Sequence, residues 1–316
     1  MKKVILIPII IGGTLLIVGS TLFAIGVAKG IGQSAMVTNT VDLDESFANF
    51  DFNLSISDVK FIASEDGSKK VILEEFKKQP HEVVVKDDTL KITQKDTRKW
   101  YEYVFNFSFK SPKVTIYLPA SSYQNFNIKS STGDILIPSD YSFANFTAKL
   151  STGNVNLKAN VSENINIETS TGDISLSNLE TKSFKAKAST GRVTLDGVKV
   201  SEQIDVNVST GRITLNNVNA QDLNIKASTG SVFINKTIIA NHIQIETSTG
   251  DVRFDESDAD TLEIKTDTGD VTGTLLTSKI FIVKTDTGKS DVPETTSGGL
   301  CKITTDTGDI KIRVKG

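Results

Sequence analysis

The stretch INIETSTGDISL, residues 165–176, contains the pattern that decides the fold. Apolar and polar residues alternate on both sides of Gly172, and alternation over short runs is typical of half-buried strands. Glycine can take the positive φ that a sharp corner needs. The stretch therefore predicts two short strands joined at a Thr-Gly corner.

The same Thr-Gly pair recurs ten times in the second half of the chain, always at nearly the same spacing. A fixed period of this kind is the signature of a repeat architecture. One such unit cannot bury its apolar side alone, so the units must stack. The corner glycines, to which the sequence assigns a structural role, are Gly133, Gly153, Gly172, Gly191, Gly211, Gly230, Gly250, Gly269, Gly288 and Gly308.

Alignment of the ten units on these glycines places apolar residues in four columns, seven and five residues before each glycine and two and four after it. The columns match at every unit, which favours a solenoid over a propeller, whose blades need about 40 residues. The predicted fold is all-β, a parallel β-solenoid (β-helix) of 19–20-residue coils. Cys301, the single cysteine, stands in the first apolar column, which predicts an inert core thiol.

The N-terminal segment differs in composition from the rest of the chain. Residues 4–28 carry no charged side chain, and an uncharged run of this length can span a bilayer. Lys2 and Lys3 precede the run, which favours a cytoplasmic N-terminus. The alternative is a cleaved signal peptide, whose apolar region is normally only about 7–15 residues long. We predict one transmembrane helix at 4–28 in the cell membrane, a cytoplasmic stub at 1–3 and an extracytoplasmic C-terminal domain.

Two segments precede the regular repeats of residues 126–316. Residues 29–44 are small and polar, which predicts a linker. Residues 45–125 lack the Thr-Gly pair but alternate apolar and polar residues, which predicts irregular N-terminal coils and a cap. Within them, the aromatic stripe of residues 100–109 predicts a plug over the end of the stack, because terminal repeats are atypical. A sugar-stacking platform is the alternative.

Composition and motifs point away from several function classes. Net charge is −3 and the pI is about 5.6, so no bulk basic character suggests nucleic acid as a partner. His81 and His242 have no partnered acid at a recognisable spacing, and neither a phosphate-binding loop nor a serine elbow occurs. The sequence thus predicts a protein that is not an enzyme and needs no cofactor.

An acidic group breaks the repeat rule near its C-terminal end. Two residues before the glycine, serine changes to aspartate in the last three units. In-register stacking would place these carboxylates about one strand spacing apart, and Ca²⁺ would relieve their repulsion with oxygen ligands. A calcium-dependent surface binding protein is therefore one alternative function, and a solvated edge is the other explanation. The candidate ligands are Asp267, Asp270, Asp286, Asp306 and Asp309.

The outward strand positions form one mostly basic ladder. Such a ladder would meet an anionic wall polymer or lipid head groups by charge, whereas the simpler explanation is a solubilising face. A polysaccharide-active β-helix enzyme is a further alternative, which rests on fold analogy alone. The ladder consists of Lys129, Lys149, Glu168, Lys187, Lys226, Glu246, Lys265 and Lys284.

Three features together carry a family resemblance. They are the N-terminal apolar run, the segments Leu90-Lys91-Ile92 and VTIYLP (residues 114–119), and the stacked Ser-Thr-Gly-Asp-Ile/Val units. From about residue 45 to the end, the chain resembles the LiaG-like putative-adhesin family of bacterial envelope proteins. The resemblance implies a β-solenoid on the outer face of a Gram-positive-type membrane, a scaffold or adhesin-like role without catalytic residues, an envelope protein or wall polymer as partner, and a link to cell-envelope stress.

Overall fold

The computed structural model describes residues 35–99 and 110–315, and all regular structure in this part of the chain is β. Within these two ranges, no helix has the length and apolar character needed to cross a membrane. The predicted transmembrane helix at 4–28 and the aromatic stripe at 100–109 lie outside the described residues. Both therefore stay predictions.

Twenty-nine strands follow one another in the described ranges. Those before the regular repeats are β1 Met36–Asp42, β2 Asn49–Ile56, β3 Asp58–Ala63, β4 Lys70–Phe76, β5 His81–Lys86, β6 Thr89–Gln94 and β7 Lys113–Leu118. The first half of the repeats contains β8 Ser122–Thr132, β9 Ile135–Ile137, β10 Ser142–Thr152, β11 Val155–Leu157, β12 Asn160–Thr171, β13 Ile174–Ser177, β14 Glu180–Thr181, β15 Ser183–Thr190, β16 Val193–Asp196, β17 Lys199–Val200, β18 Gln203–Thr210 and β19 Ile213–Asn216. The second half contains β20 Asn219–Thr229, β21 Val232–Asn235, β22 Ile238–Thr249, β23 Val252–Ser257, β24 Thr261–Thr268, β25 Val271–Leu275, β26 Lys279–Thr287, β27 Ser290–Asp291, β28 Gly299–Thr307 and β29 Ile310–Val314.

Two long sheets run along the molecule and meet at the Thr-Gly corners. Each repeat gives the strand before its corner to sheet B, which has 15 strands, and the strand after it to sheet A, which has 14. We number the repeats as coils 1 to 10, from the coil of Gly133 to that of Gly308. Neighbouring regular coils pair in parallel and in register, as where Phe146 lies opposite Phe126 and Ile165. The predicted parallel β-solenoid is confirmed.

The apolar columns form one continuous core between the two sheets. In coil 5, the four column residues Ile204, Val206, Ile213 and Leu215 are all 0% exposed. Cys301 is also 0% exposed, in line with the core position predicted for it. The alternation of the sequence therefore translates directly into a buried face and a solvated face on each strand.

The corner glycines allow neighbouring coils to approach at backbone distance. At Gly211 φ is 152°, a conformation that residues with a Cβ rarely adopt. A Cβ at this position would lie 1.8 Å from the carbonyl oxygen of Gly191 in the preceding coil. The Gly211 amide in turn donates a hydrogen bond of 2.9 Å to the carbonyl of Thr229 in the following coil. Glycine is thus required both by the backbone angle and by the close stacking.

The coils at the C-terminal end do not stack in chain order. Coil 10 lies between coils 8 and 9, because β28 pairs with both β24 and β26. In sheet A, β29 likewise lies between β25 and β27. The last three aspartates before the glycines therefore lie in consecutive coils of the stack, but not in chain order. Their order in space is Asp267, Asp306, Asp286.

The sequence of coil 9 explains its terminal position. Ser290 occupies a column that is otherwise Ile or Val, and it is exposed. Coil 10 has Ile310 at the matching position, and this side chain is 0% exposed. A hydroxyl in place of a core methyl group costs less stability in the last coil of the stack, because only one face of that coil is covered.

The N-terminal end is closed by strands that also depart from chain order. The coil of β2 and β3 lies between coil 1 and the coil of β6 and β7. Beyond it, β5 pairs antiparallel with β6, β4 with β7, and β1 with β4. Residues 36–42, predicted as part of a linker, thus form β1. Thr38, Asn39 and Thr40 in the middle of this edge strand are exposed, and Val41 packs against the core.

Candidate functional site

The outward side of sheet B contains a basic and hydroxylated surface, which we call the lysine–serine face. It consists of the predicted ladder, four residues before each glycine, and a column of serines two residues before it. The strand alternation directs both columns away from the core. The serines, all exposed, are Ser131, Ser151, Ser170, Ser189, Ser209, Ser228 and Ser248.

Two shallow grooves run between these columns along the solenoid. The first has a volume of about 440 Å³ and extends from Asn53 in β2 to Ser189 in coil 4. The second has a volume of about 400 Å³ and extends from Asn207 in coil 5 to Asp267 in coil 8. Both are lined by lysine ammonium groups, serine hydroxyls and the carboxylates of the ladder. Together they offer repeated donors to an extended, anionic ligand.

The charge of the ladder is not uniform along the stack. In coils 1 to 4 it contains three lysines and one acid, Glu168, which pairs with Lys149 at 3.2 Å. In coils 5 to 8, Lys226 pairs with Glu246 at 3.3 Å, and Asp267 adds a further negative charge. The excess positive charge therefore lies in coils 1 to 4, at Lys129 and Lys187.

The aspartates that follow the glycines serve the backbone. Asp270 Oδ1 accepts a hydrogen bond of 2.8 Å from the amide of Asp309, and Asp309 Oδ1 accepts one of 2.8 Å from the amide of Lys289. The same bond joins Asp134 to the amide of Asn154 at 2.7 Å. The residue after the glycine thus links successive coils. This is a structural reason for aspartate or asparagine at that position.

The other predicted calcium ligands lie apart from this backbone ladder. Asp267, Asp306 and Asp286 are exposed, and Asp286 pairs with Lys284 at 2.9 Å. Among the residues that the structure describes, no group of three or more His, Cys, Asp or Glu side chains is placed to hold a metal ion. Calcium binding at these aspartates therefore stays a prediction, without an assembled ligand set to carry it.

Cys301 is surrounded by core residues and lies near a buried ion pair. Burial raises the pKa of its thiol to about 12, so the thiol stays protonated and unreactive at neutral pH. Lys279 Nζ lies 2.9 Å from Asp258 Oδ1, and their side chains are only 3% and 9% exposed. This pair ties coil 9 back to the turn that precedes coil 8.

A buried polar network at the N-terminal end was missed by the sequence. His81 Nδ1 lies 2.8 Å from Glu75 Oε2, and His81 Nε2 lies 2.8 Å from Ser57 Oγ. The expectation that His81 has no partnered acid at a recognisable spacing is therefore wrong, because the short turn of Phe76 and Gln79 between β4 and β5 brings Glu75 against His81. Glu75 also accepts a hydrogen bond of 2.6 Å from Asn39 Nδ2. The Ser-His-Glu order resembles a hydrolase triad, but Ser57 is only 1% exposed, so the network is closed to a substrate.

The titration of His81 gives a prediction for stability against pH. Burial lowers the pKa of His81 below its ordinary value of 6.5, and Glu75 opposes this effect only in part. The unfolded chain therefore binds a proton more readily, so this contribution to stability is present above about pH 6.5 and is lost as the pH falls. We expect a lower melting temperature at about pH 5.5 than at about pH 7.5.

The His81→Gln variant is the control for this pH effect. It retains a polar side chain but cannot titrate, so its melting temperature should change less between the two pH values than that of the wild type. Equal changes in both proteins would show that His81 is not responsible.

A separate groove follows the first residues of the sheet B strands and of the short strands β14 and β17, at the opposite end of these strands from the Thr-Gly corners. Its volume is about 930 Å³, and it extends from Ser122 in coil 1 to Gln221 in coil 6. An ion pair at 2.8 Å between Lys199 and Glu180 occupies its side, so the charges in this groove neutralise each other. The lysine–serine face, with its unpaired positive excess, is the stronger candidate for binding an anion.

Comparison with known proteins identifies a family and a fold. The sequence model of the family described as Toastrack DUF4097 matches residues 47–312. No curated protein sequence matches the chain. The crystal structure of a putative adhesin from Parabacteroides distasonis has a TM-score of 0.50 at 12% identity and covers 89% of this chain and 98% of its own. That likeness shows the fold alone.

Two further solved structures are also similar to this chain. A putative adhesin from Parabacteroides merdae has a TM-score of 0.49 at 14% identity and covers 78% of this chain and 98% of its own. A putative lipid binding protein from Parabacteroides distasonis has a TM-score of 0.49 at 15% identity, with 88% and 98% covered.

Proposed function

This chain belongs to the Toastrack DUF4097 family, and from that premise we propose that it is a non-enzymatic, adhesin-like binding module of the cell envelope. The apolar run at residues 4–28 holds it in the cell membrane, and the solenoid lies on the extracytoplasmic side. Its ligand is an anionic wall polymer that lies along the lysine–serine face. The LiaG-like resemblance supports this location and a role in the response to envelope stress.

The observation that carries the proposal is the positive excess of the ladder in coils 1 to 4. Lys129 and Lys149 lie in neighbouring coils and Lys187 lies beyond Glu168, along a groove that also presents serine hydroxyls. Coils are spaced about 4.8 Å apart, so a phosphate-bearing polymer along the groove would meet a donor at every coil. Each contact is weak because it is solvent-exposed, and affinity comes from many contacts on one chain.

The buried network of Ser57, His81 and Glu75 supports a function without catalysis, because no substrate can reach it. A serine that is 1% exposed cannot meet a polymer, and the exposed serines of the lysine–serine face have lysines and not histidines beside them in the grooves. Lysine ammonium groups and hydroxyls bind anions well, and the two glutamates of the ladder, Glu168 and Glu246, are each paired with a lysine. The face is therefore suited to retention of a ligand and not to its cleavage.

Reversal of one charge tests the proposed binding surface. Lys187→Glu is expected to weaken binding of poly(glycerol phosphate) by about fivefold or more, because one lysine near an anionic surface contributes about 1 kcal/mol. Glu168→Gln should strengthen binding, because it frees Lys149 from its ion pair. The measurement is the dissociation constant of the full-length protein at low salt.

Lys158→Glu is the matched control, since it changes the net charge equally at an exposed residue after β11, away from the lysine–serine face. Equal loss of binding in Lys158→Glu and Lys187→Glu would mean that net charge, and not this face, determines binding. The proposed site would then be wrong.

A further inference from the structure

The outward side of sheet B changes from polar to apolar at its C-terminal edge. Six residues before the glycine, coils 1 to 8 carry Asn, Thr, Asn, Lys, Asp, Asn, Gln and Glu, but coil 9 carries Ile282. Ile282 is 55% exposed, and two more isoleucine or leucine side chains beside it, Ile280 and Leu300, are 43% and 42% exposed. This outward column is therefore polar in coils 1 to 8 and apolar in coil 9, the last coil of the stack.

The same edge leaves backbone and core uncovered. β26 is the last strand of sheet B, and in residues 35–99 and 110–315 no strand pairs with its outer side. Phe281 and Val283, which face the core, are only partly buried because no further coil covers them. Proteins normally protect an edge strand with charge, proline or a covering segment. Here Ile280 and Ile282 extend the apolar surface outward instead.

We propose that two copies of this chain join at this edge, by antiparallel pairing of β26 with β26 of the second copy. In the register centred on Ile282, this residue lies opposite its own equivalent on the outer face. On the inner face, Phe281 lies opposite Val283 in both directions. Apolar side chains therefore meet on both sides of the new strand pair, and the two cores become continuous.

The charges of β26 favour a second copy of the same strand. Lys284 and Asp286 neutralise each other at 2.9 Å, so two identical edges do not repel. In the proposed register Lys284 faces Ile280, and Asp286 faces Ser278, so no like charges are opposed. The interface is two-fold symmetric and closes at two copies.

The opposite end of the solenoid is a poorer partner for β26. There sheet B ends at β5, but sheet A continues one strand further, to β1. If a second copy docked head to tail, with its β26 against β5, its β27 would have to occupy the place that β1 already fills. The C-terminal ends lack such a projecting strand, so two of them can meet.

A cysteine at the centre of the register tests the proposal. Residues directly opposite in an antiparallel pair lie about 4.5–5.5 Å apart at Cα, within the range of a disulfide. Full-length Ile282→Cys, in a neutral detergent, is expected to form a covalent dimer on mild oxidation. The native Cys301 is 0% exposed and does not compete.

Lys185→Cys is the matched control, because it occupies the same outward column in coil 4, far from the edge. A dimer yield for Ile282→Cys no higher than for Lys185→Cys would overturn the proposal. Crosslinking only in a mixture of Ile282→Cys with Val84→Cys would also overturn it, since that result indicates head-to-tail assembly through β5. Ile282→Lys should sediment as a monomer at concentrations where the wild type sediments as a dimer.

Discussion

Gly211→Ala is expected to lower the free energy of unfolding by about 4 kcal/mol, because a strained backbone angle and an overpacked contact each cost roughly 1–3 kcal/mol. The added Cβ would lie 1.8 Å from the carbonyl oxygen of Gly191, where no flexible side chain can move aside. Coils 4 and 5 must then separate, which weakens the hydrogen bonds of both sheets at the middle of the stack. Denaturant unfolding followed by circular dichroism measures the effect.

Gly67→Ala is the control for this substitution. Gly67 also has a positive φ, 75°, but a Cβ there would have no atom within 4 Å. Its cost should be limited to the backbone strain, about 1 kcal/mol. If the two variants lost equal stability, close stacking of the corners would not be the reason for the repeated glycine.

Deletion of coil 10, by a stop after Gly298, is expected to unfold coil 9 as well, so that two coils are lost from the stack. Within the described ranges, β26 pairs only with β28, and β27 pairs only with β29, so coil 9 loses every strand partner when coil 10 is absent. Hydrogen exchange should show residues 279–291 exchanging at the rate of unstructured chain, while coils 1 to 7 stay protected.

Coil 9 cannot simply move into the vacant place. A Cβ at Gly299 would lie 1.7 Å from the carbonyl oxygen of Asp260, and coil 9 carries Lys279 at this register. The position next to Asp260 therefore accommodates Gly299 of coil 10 but has no room for the side chain of Lys279 of coil 9. Protection of β26 in the truncated chain, equal to that in the intact chain, would contradict the observed order of the coils. Gly299→Ala should weaken the stacking of coil 10 on coil 8, and so mimic part of the truncation, because its Cβ would clash with the carbonyl oxygen of Asp260.

The repeat pattern was sufficient to predict the architecture. Columns of apolar residues at a fixed distance from each glycine determine which side of each strand is buried, and the nearly constant period determines the length of the coil. The order of the coils was not predictable in the same way, because stacking partners depend on fit between whole coils. Ser290 was a signal in the aligned columns, and its meaning becomes clear only when the terminal position of coil 9 is known.

The candidate site was predictable in part. The lysine ladder follows from strand alternation, so its residues were identified from the sequence. The grooves and the concentration of positive charge in coils 1 to 4 depend on ion pairs between coils, such as Lys149 with Glu168, which a linear pattern does not give. The network of His81 was missed because the turn between β4 and β5 and the packing of the cap against Ser57 join residues 57, 75 and 81 at no characteristic spacing.

The most direct measurement of the proposed function is a salt titration of polymer binding by the full-length protein. Exposed charges act over a Debye length that shortens as salt rises, so affinity for poly(glycerol phosphate) should be measurable at about 50 mM salt and nearly absent at about 500 mM. Absence of binding at the lower salt concentration, or an affinity that does not change with salt, would contradict the assignment of the lysine–serine face as the ligand site.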